Sequence, residues 1–113
     1  MEKLFEQLKV YLKMDTEISF EEFASYYQQV IDFLKENYDR LDQDGLLKAR
    51  YITSIIQSNA LDRARRKGVH AKKYKKMAEK CNLWAGAANY KLLQSGMTQE
   101  EIDRMDKEIS DSI

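Results

Sequence analysis

Residues 70–95 read HAKKYKKMAEKCNLWAGAANYKLLQS, and the way this stretch winds decides the fold. At about 100° per residue, Tyr74, Met77, Ala78, Cys81, Trp84, Ala85, Ala88 and Leu92 line up as one continuous apolar stripe. Such a stripe predicts a long helix that faces a core along its whole length. The opposite side changes character midway, with Lys72, Lys75, Lys76 and Lys80 first and then Leu83, Gly86, Ala87, Tyr90 and Leu93. The first half is expected to project into water. The second half, apolar on two sides, is expected to be covered by the first or last helix or by another subunit.

Upstream, Gly68 is expected to supply the left-handed residue that ends a third helix running to about Lys67. That helix starts where Asp42 and Asp44 around Gly45 read as turn and N-cap. Tyr51, Ile52, Ile55, Ile56 and Ala60 give it a broad apolar arc suited to more than one neighbour. Asn59 lies on the same arc and reads either as a buried register-fixing amide or as an edge residue. Ser19 and Glu22 form a capping-box pattern before a second helix, whose Phe20, Phe23, Tyr27, Val30, Leu34, Tyr38 and Leu41 recur at threes and fours. Leu4, Phe5, Leu8, Tyr11 and Leu12 mark a short first helix within residues 2–14, broken by Asp15-Thr16-Glu17-Ile18. Downstream, Gly96 stops the fourth helix, and Thr98 with Glu101 opens a last helix of about 12 residues. The expectation is an all-α fold, a compact single-domain bundle (1–113) of about five helices with antiparallel neighbours and no sheet.

Composition agrees with that reading and removes several classes of function. The 113 residues include no proline and four glycines, with 43% hydrophobic and 34% charged residues, which suits long helices rather than a turn-rich sheet or a disordered chain. One cysteine forms no internal disulfide, and one histidine beside it supplies no all-protein zinc site. The longest uncharged runs, Tyr51 to Leu61 and Cys81 to Tyr90, fall well short of the roughly 20 residues that cross a bilayer. The opening MEKLFEQLKV carries acidic residues and is amphipathic rather than signal-like, so a cytoplasmic protein with no membrane partner is expected.

The 19 basic and 19 acidic residues cancel overall but are segregated along the chain. Residues 1–61 carry a net −4, residues 62–80 (DRARRKGVHAKKYKKMAEK) a net +7, and residues 81–113 a net −3. If the chain reverses at Gly68, Arg63, Arg65, Arg66 and Lys67 meet Lys72, Lys73, Lys75 and Lys76 at one hairpin tip. The first group faces the negative end of a helix dipole, where basic residues are favourable and need no function. The second group crowds a positive end, where each lysine costs roughly 0.3–1 kcal/mol at low salt. A solvated tip is the plain reading. The functional one is a nucleic-acid or other anion-binding surface built from Arg63, Arg65, Arg66, Lys67, Lys72, Lys73, Lys76 and Lys80, with Arg66, Lys72, Lys73 and Lys76 foremost. An acidic protein surface would also fit. A second reading makes Leu83, Gly86, Ala87, Tyr90 and Leu93 the interface of a protein-interaction or homo-oligomeric module, because Gly86 and Ala87 let a partner helix approach closely.

No catalysis, cofactor or metal is expected, since no nucleophile with a base, Gly-rich phosphate loop or ligand cluster is visible. Asp42, Asp44 and Gly45 imitate part of a calcium loop, yet Arg40 and Tyr51 stand where its first and twelfth ligands belong. Glu21 with Glu22, and Asp103 with Asp106, read as acids at helix starts. Tyr74 within KKYKK begins the core stripe, so burial is favoured over base stacking. His70 reads as a helix cap or as one more member of the basic cluster. LLQSGMTQEEIDRM (92–105) resembles the opening of a repressor-type helix-turn-helix unit over about a dozen residues. It departs from that pattern at Asp103, where a small residue belongs, and no family is named on it.

Overall fold

Side-chain oxygens at Ser19, Asp42 and Thr98 set where three of the helices begin, because each satisfies a backbone N–H left unpaired in a first turn. The computed structural model describes residues 1–113 as five α-helices without a strand: α1 Glu2–Leu12, α2 Phe20–Asn37, α3 Gln43–Arg65, α4 Ala71–Gln94 and α5 Gln99–Asp111. A short 3-10 turn, Tyr38–Arg40, links α2 to α3. Asp42 Oδ1 accepts from the Gly45 N–H at 2.8 Å. At α5 the capping box closes in both directions: Thr98 Oγ1 accepts from the Glu101 N–H at 3.1 Å, and the Glu101 carboxylate accepts from the Thr98 N–H at 3.0 Å. The bond from the Thr98 N–H, helped by the Thr98 hydroxyl, holds the Glu101 carboxyl below the usual carboxylate range. At α2 only half of the box forms. Ser19 Oγ accepts from the Glu22 N–H, while burial and then the nearby Glu22 carboxylate raise the Tyr11 phenol above its usual value.

α3 and α4 run antiparallel and share the most extensive contact in the molecule. Bonds from Gln43 to Ser95, Arg50 to Asn89 and Arg63 to Tyr74 mark successive levels of the pair. Ile52, Ala60, Cys81 and Leu92 have no exposed surface. α2 lays Phe23, Tyr26, Val30, Ile31 and Leu34 into the same core, and α1 adds Phe5 and Leu8. At the other end Ile102 of α5 closes a smaller cluster with Leu46, Leu47, Ala88 and Leu92. Arg50 anchors α5 there by donating to Asp106 at 2.9 Å. No buried side-chain N or O atom lacks a hydrogen-bond partner, and the enclosed Thr53 hydroxyl donates to Ala49 O at 2.7 Å.

The structure corrects the sequence reading at the end of the second helix and at the reversal after the third, and it selects one of the two readings of Asn59. The second helix stops at Asn37, so Tyr38 and Leu41 leave its stripe, while Tyr26 and Ile31 are buried and Tyr27 is half-buried. The physical reason is that α2 must cover α3 and also receive α1: Tyr26 donates to Leu4 O at 2.6 Å and meets Tyr11 edge-on. Asn59 is exposed and donates to Ile55 O in its own helix, which makes it an edge residue. The residue in the left-handed region after α3 is Lys67, with φ of 55°, and not Gly68. α3 ends at Arg65 with Arg66 as its C-cap, so the reversal falls one position before the glycine. His70 and Tyr74 are packed on Phe20, which leaves residues 66–70 to complete the turn.

A side chain carrying a Cβ in the left-handed region costs roughly 1–2 kcal/mol. Lys67→Gly is therefore expected to stabilise the fold by about 0.5–1 kcal/mol after allowing for glycine's greater freedom when unfolded. Urea unfolding of the two proteins checks this, with a raised midpoint and an unchanged slope expected.

Candidate functional site

The tip where α3 gives way to α4 is organised by rings. Tyr74 is the first core residue of α4, and its ring meets Phe20 and Phe23 edge-on at 5.4 and 5.2 Å. His70 occupies the N-cap position of α4 but makes no capping bond with its side chain; its imidazole stacks on Phe20 at 3.7 Å and 7°. The start of α4 is thereby fixed to the start of α2 by four aromatic rings.

The cations expected at this tip divide into two groups. Arg63 turns inward: its guanidinium lies 4.6 Å from the centre of the Phe23 ring, and its Nη1 donates to Tyr74 Oη at 3.0 Å. Arg66 is held by two carboxylates, Glu17 at 2.6 Å and Asp62 at 2.7 Å. The same contact keeps the Glu17 carboxyl below its ordinary range and straps the segment after α1 to the end of α3. Arg63 and Arg66 thus act within the fold. The spacing contains the signal for Arg63, which continues the arc Ile52, Ile56, Asn59 toward α1 and α2.

The second group is free. Arg65, Lys67, Lys72, Lys75, Lys76 and Lys80 are exposed and form no ion pair. Lys73 is exposed too, with its ammonium 5.5 Å from the Phe20 ring centre. Elsewhere Lys9 meets Glu6, Lys48 meets Glu2 and Asp44, Arg50 meets Asp103 and Asp106, and Lys107 meets Asp111, while Lys3, Lys13, Lys35, Arg40, Lys91 and Arg104 make no ion pair but are scattered along the chain. The first turn of α4 holds no acidic residue. Unpaired positive charge is therefore densest on the N-terminal half of α4 and the corner before it.

Further along α4, Leu83 is 70%, Tyr90 61% and Leu93 40% exposed, and Gly86 is exposed between them. Ala87 is half-buried beneath Tyr38, whose hydroxyl donates to Ala87 O at 2.8 Å. Neither α1 nor α5 covers this face, so of the coverings expected from the sequence the chain's own helices are excluded. α5 is drawn to the flank of α4 by Asn89, which bonds Gln99, and α1 packs on the far side of α3. Cys81 is enclosed, and burial pushes its thiol up to about 12, so it is no nucleophile at neutral pH. No group of three or more His, Cys, Asp or Glu side chains converges. A cavity of about 260 Å³ that the sequence did not suggest opens between α1, the segment after it, α2 and α3, floored by Leu8, Phe23, Tyr26 and Ile56.

Arg63→Ala is expected to lower stability by about 1–3 kcal/mol, since it removes a ring contact and the partner of the Tyr74 hydroxyl together. Lys72→Ala and Lys76→Ala should each change stability by less than about 0.5 kcal/mol. Thermal or chemical unfolding of the three variants separates the fixed from the free cations.

No family model, curated protein or solved structure matches this chain.

Proposed function

We propose that this chain is a non-enzymatic binding module that engages a polyanion, nucleic acid first, through Lys72, Lys75, Lys76 and Lys80 of α4, with Arg65 and Lys67 beside them. One observation carries the reading: the exposed Lys72, Lys75, Lys76 and Lys80 run along the first three turns of α4 from its positive end without an ion pair, and that end has no side-chain cap. Lys72, in the first turn, costs the isolated protein roughly 0.3–1 kcal/mol at low salt, and the others add like charge along the same face, while Lys48, Arg50 and Arg66 all have acidic partners. An anion resting against that turn removes the cost, because it meets ammonium groups and free backbone N–H groups at once. The aromatic joint at Phe20, His70 and Tyr74 holds these lysines on a rigid element, so little order is lost when they are engaged.

Contact with a nucleic-acid backbone releases counterions, so affinity must fall steeply with salt. Fluorescence anisotropy with labelled random single-stranded DNA, duplex DNA and RNA at about 50 and 200 mM salt measures the slope, expected at roughly −0.7 to −0.9 per phosphate neutralised. Replacing Lys72, Lys75, Lys76 and Lys80 together by Ala should remove most of both affinity and slope. Absence of binding at the lower salt would sink the proposal. Binding only to an acidic protein would move the surface to the other partner class that its charge fits.

A further inference from the structure

We propose that the exposed apolar stripe of α4 is a self-association surface that pairs antiparallel with the same stripe on a second copy of this chain. The stripe comprises Leu83, Gly86, Tyr90 and Leu93, with Ala87 beside it. Leu83 at 70% and Tyr90 at 61% exposure are the large apolar side chains that α4 leaves most open. They sit on one face of one helix rather than scattered, which is the pattern of an interaction surface.

Gly86 points to what the stripe needs. A glycine inside a helix is unfavourable relative to alanine, and structures retain one where another backbone or side chain must come close. Within this protomer nothing does so: a Cβ built on Gly86 meets no heavy atom within 4 Å. The hollow opens outward, between two exposed large residues.

Spacing then selects the occupant. Positions 83, 86, 90 and 93 alternate steps of three and four, the spacing of a helix–helix seam. With a two-fold axis at the level of residue 88, Leu83 faces Leu93 of the second copy and Tyr90 faces Gly86 of the second copy. Each pairing occurs twice, as an isologous interface requires. The largest side chain of the seam then falls on the residue with none.

Charge fixes the direction. Parallel pairing would set Lys72, Lys75, Lys76 and Lys80 of both copies side by side, a like-charge juxtaposition that costs several kcal/mol. Antiparallel pairing sends the two lysine-bearing halves to opposite ends. Each then extends past the C-terminal end of the other copy's α4, beside which α5 opens with the exposed Glu100. The +7 on residues 62–80 thereby approaches the half that carries −3 on residues 81–113 instead of its own like. The stripe itself carries no charge, so it is separate from the polyanion surface.

Sedimentation equilibrium of the full chain from about 10 µM to about 1 mM should show monomer and dimer exchanging with concentration. Tyr90→Gln should reduce dimerisation at least tenfold while leaving the salt-dependent anisotropy signal in place. Gly86→Leu is the sharper variant, because a Cβ at that position meets nothing within the protomer: the monomer's melting temperature should rise while the dimer is lost. A purely structural glycine would move the two readouts together. For direction, oxidising a mixture of Leu83→Cys and Leu93→Cys chains should cross-link one to the other, with Leu83→Cys alone remaining unlinked; the native Cys81 is enclosed and does not interfere. A monomer throughout the range, a Gly86→Leu dimer as strong as the parent, or self-linking of Leu83→Cys would each overturn the pairing.

Discussion

The antiparallel contact between α3 and α4 is the constraint from which the other elements take their places. α1 buries Phe5 and Leu8, and α5 buries Ile102 alone. Isolated helices as short as these are marginal in water. They are ordered because α3 offers an apolar surface on several sides: Tyr51 receives Phe5, Ile52 and Ile56 receive α2, and Leu46 and Leu47 receive Ile102. Polar groups then select among the possible dockings. Arg50 reaches Asn89 on α4 and Asp106 on α5 from a single side chain, so it fixes α5 at one angle across the hairpin.

Much of this could be read from residue order, and the reasons for the rest are specific. The extent of α4, the caps at Ser19, Asp42 and Thr98, and the stop at Gly96 all depend on chemistry within one helical turn, which sequence displays directly. The left-handed residue was misplaced because glycine is only the easiest occupant of that conformation, and packing on Phe20 decides which position must adopt it. The binding residues were partly legible. The charge run marks the right segment, yet it does not distinguish Lys72 or Lys76, which face water, from Arg63, which faces two rings, or from Arg66, which meets Glu17 across the fold. That distinction depends on partners far away in sequence. The exposed stripe was visible as a pattern, and only the placement of α1 and α5 showed that the chain's own helices leave it open.

α4 consequently carries two chemistries on one outward face, separated along its axis. Its inner face, from Tyr74 to Leu92, lies against the core with Trp84 and Ala85 half-buried, and most of the outer residues have no partner within the chain. A helix held this firmly on one side presents its other side in a fixed geometry. Charge at one end and bare carbon at the other are then displayed without a loop to rearrange.

The reversal at residues 66–70 also sets an order of loosening. Closing so short a connection costs little chain entropy, and each level of the α3–α4 pair then zips onto the one before it. α1 is held by a smaller interface, with bonds such as Tyr26 to Leu4 and Lys48 to Glu2, and α5 by one buried side chain and the Arg50 pairs. Transient opening therefore begins at the two ends and reaches the hairpin last, so amide hydrogens of α1 and α5 exchange with solvent while those of α3 and α4 are still protected. The outward face of α4 belongs to the part of the molecule that stays folded longest.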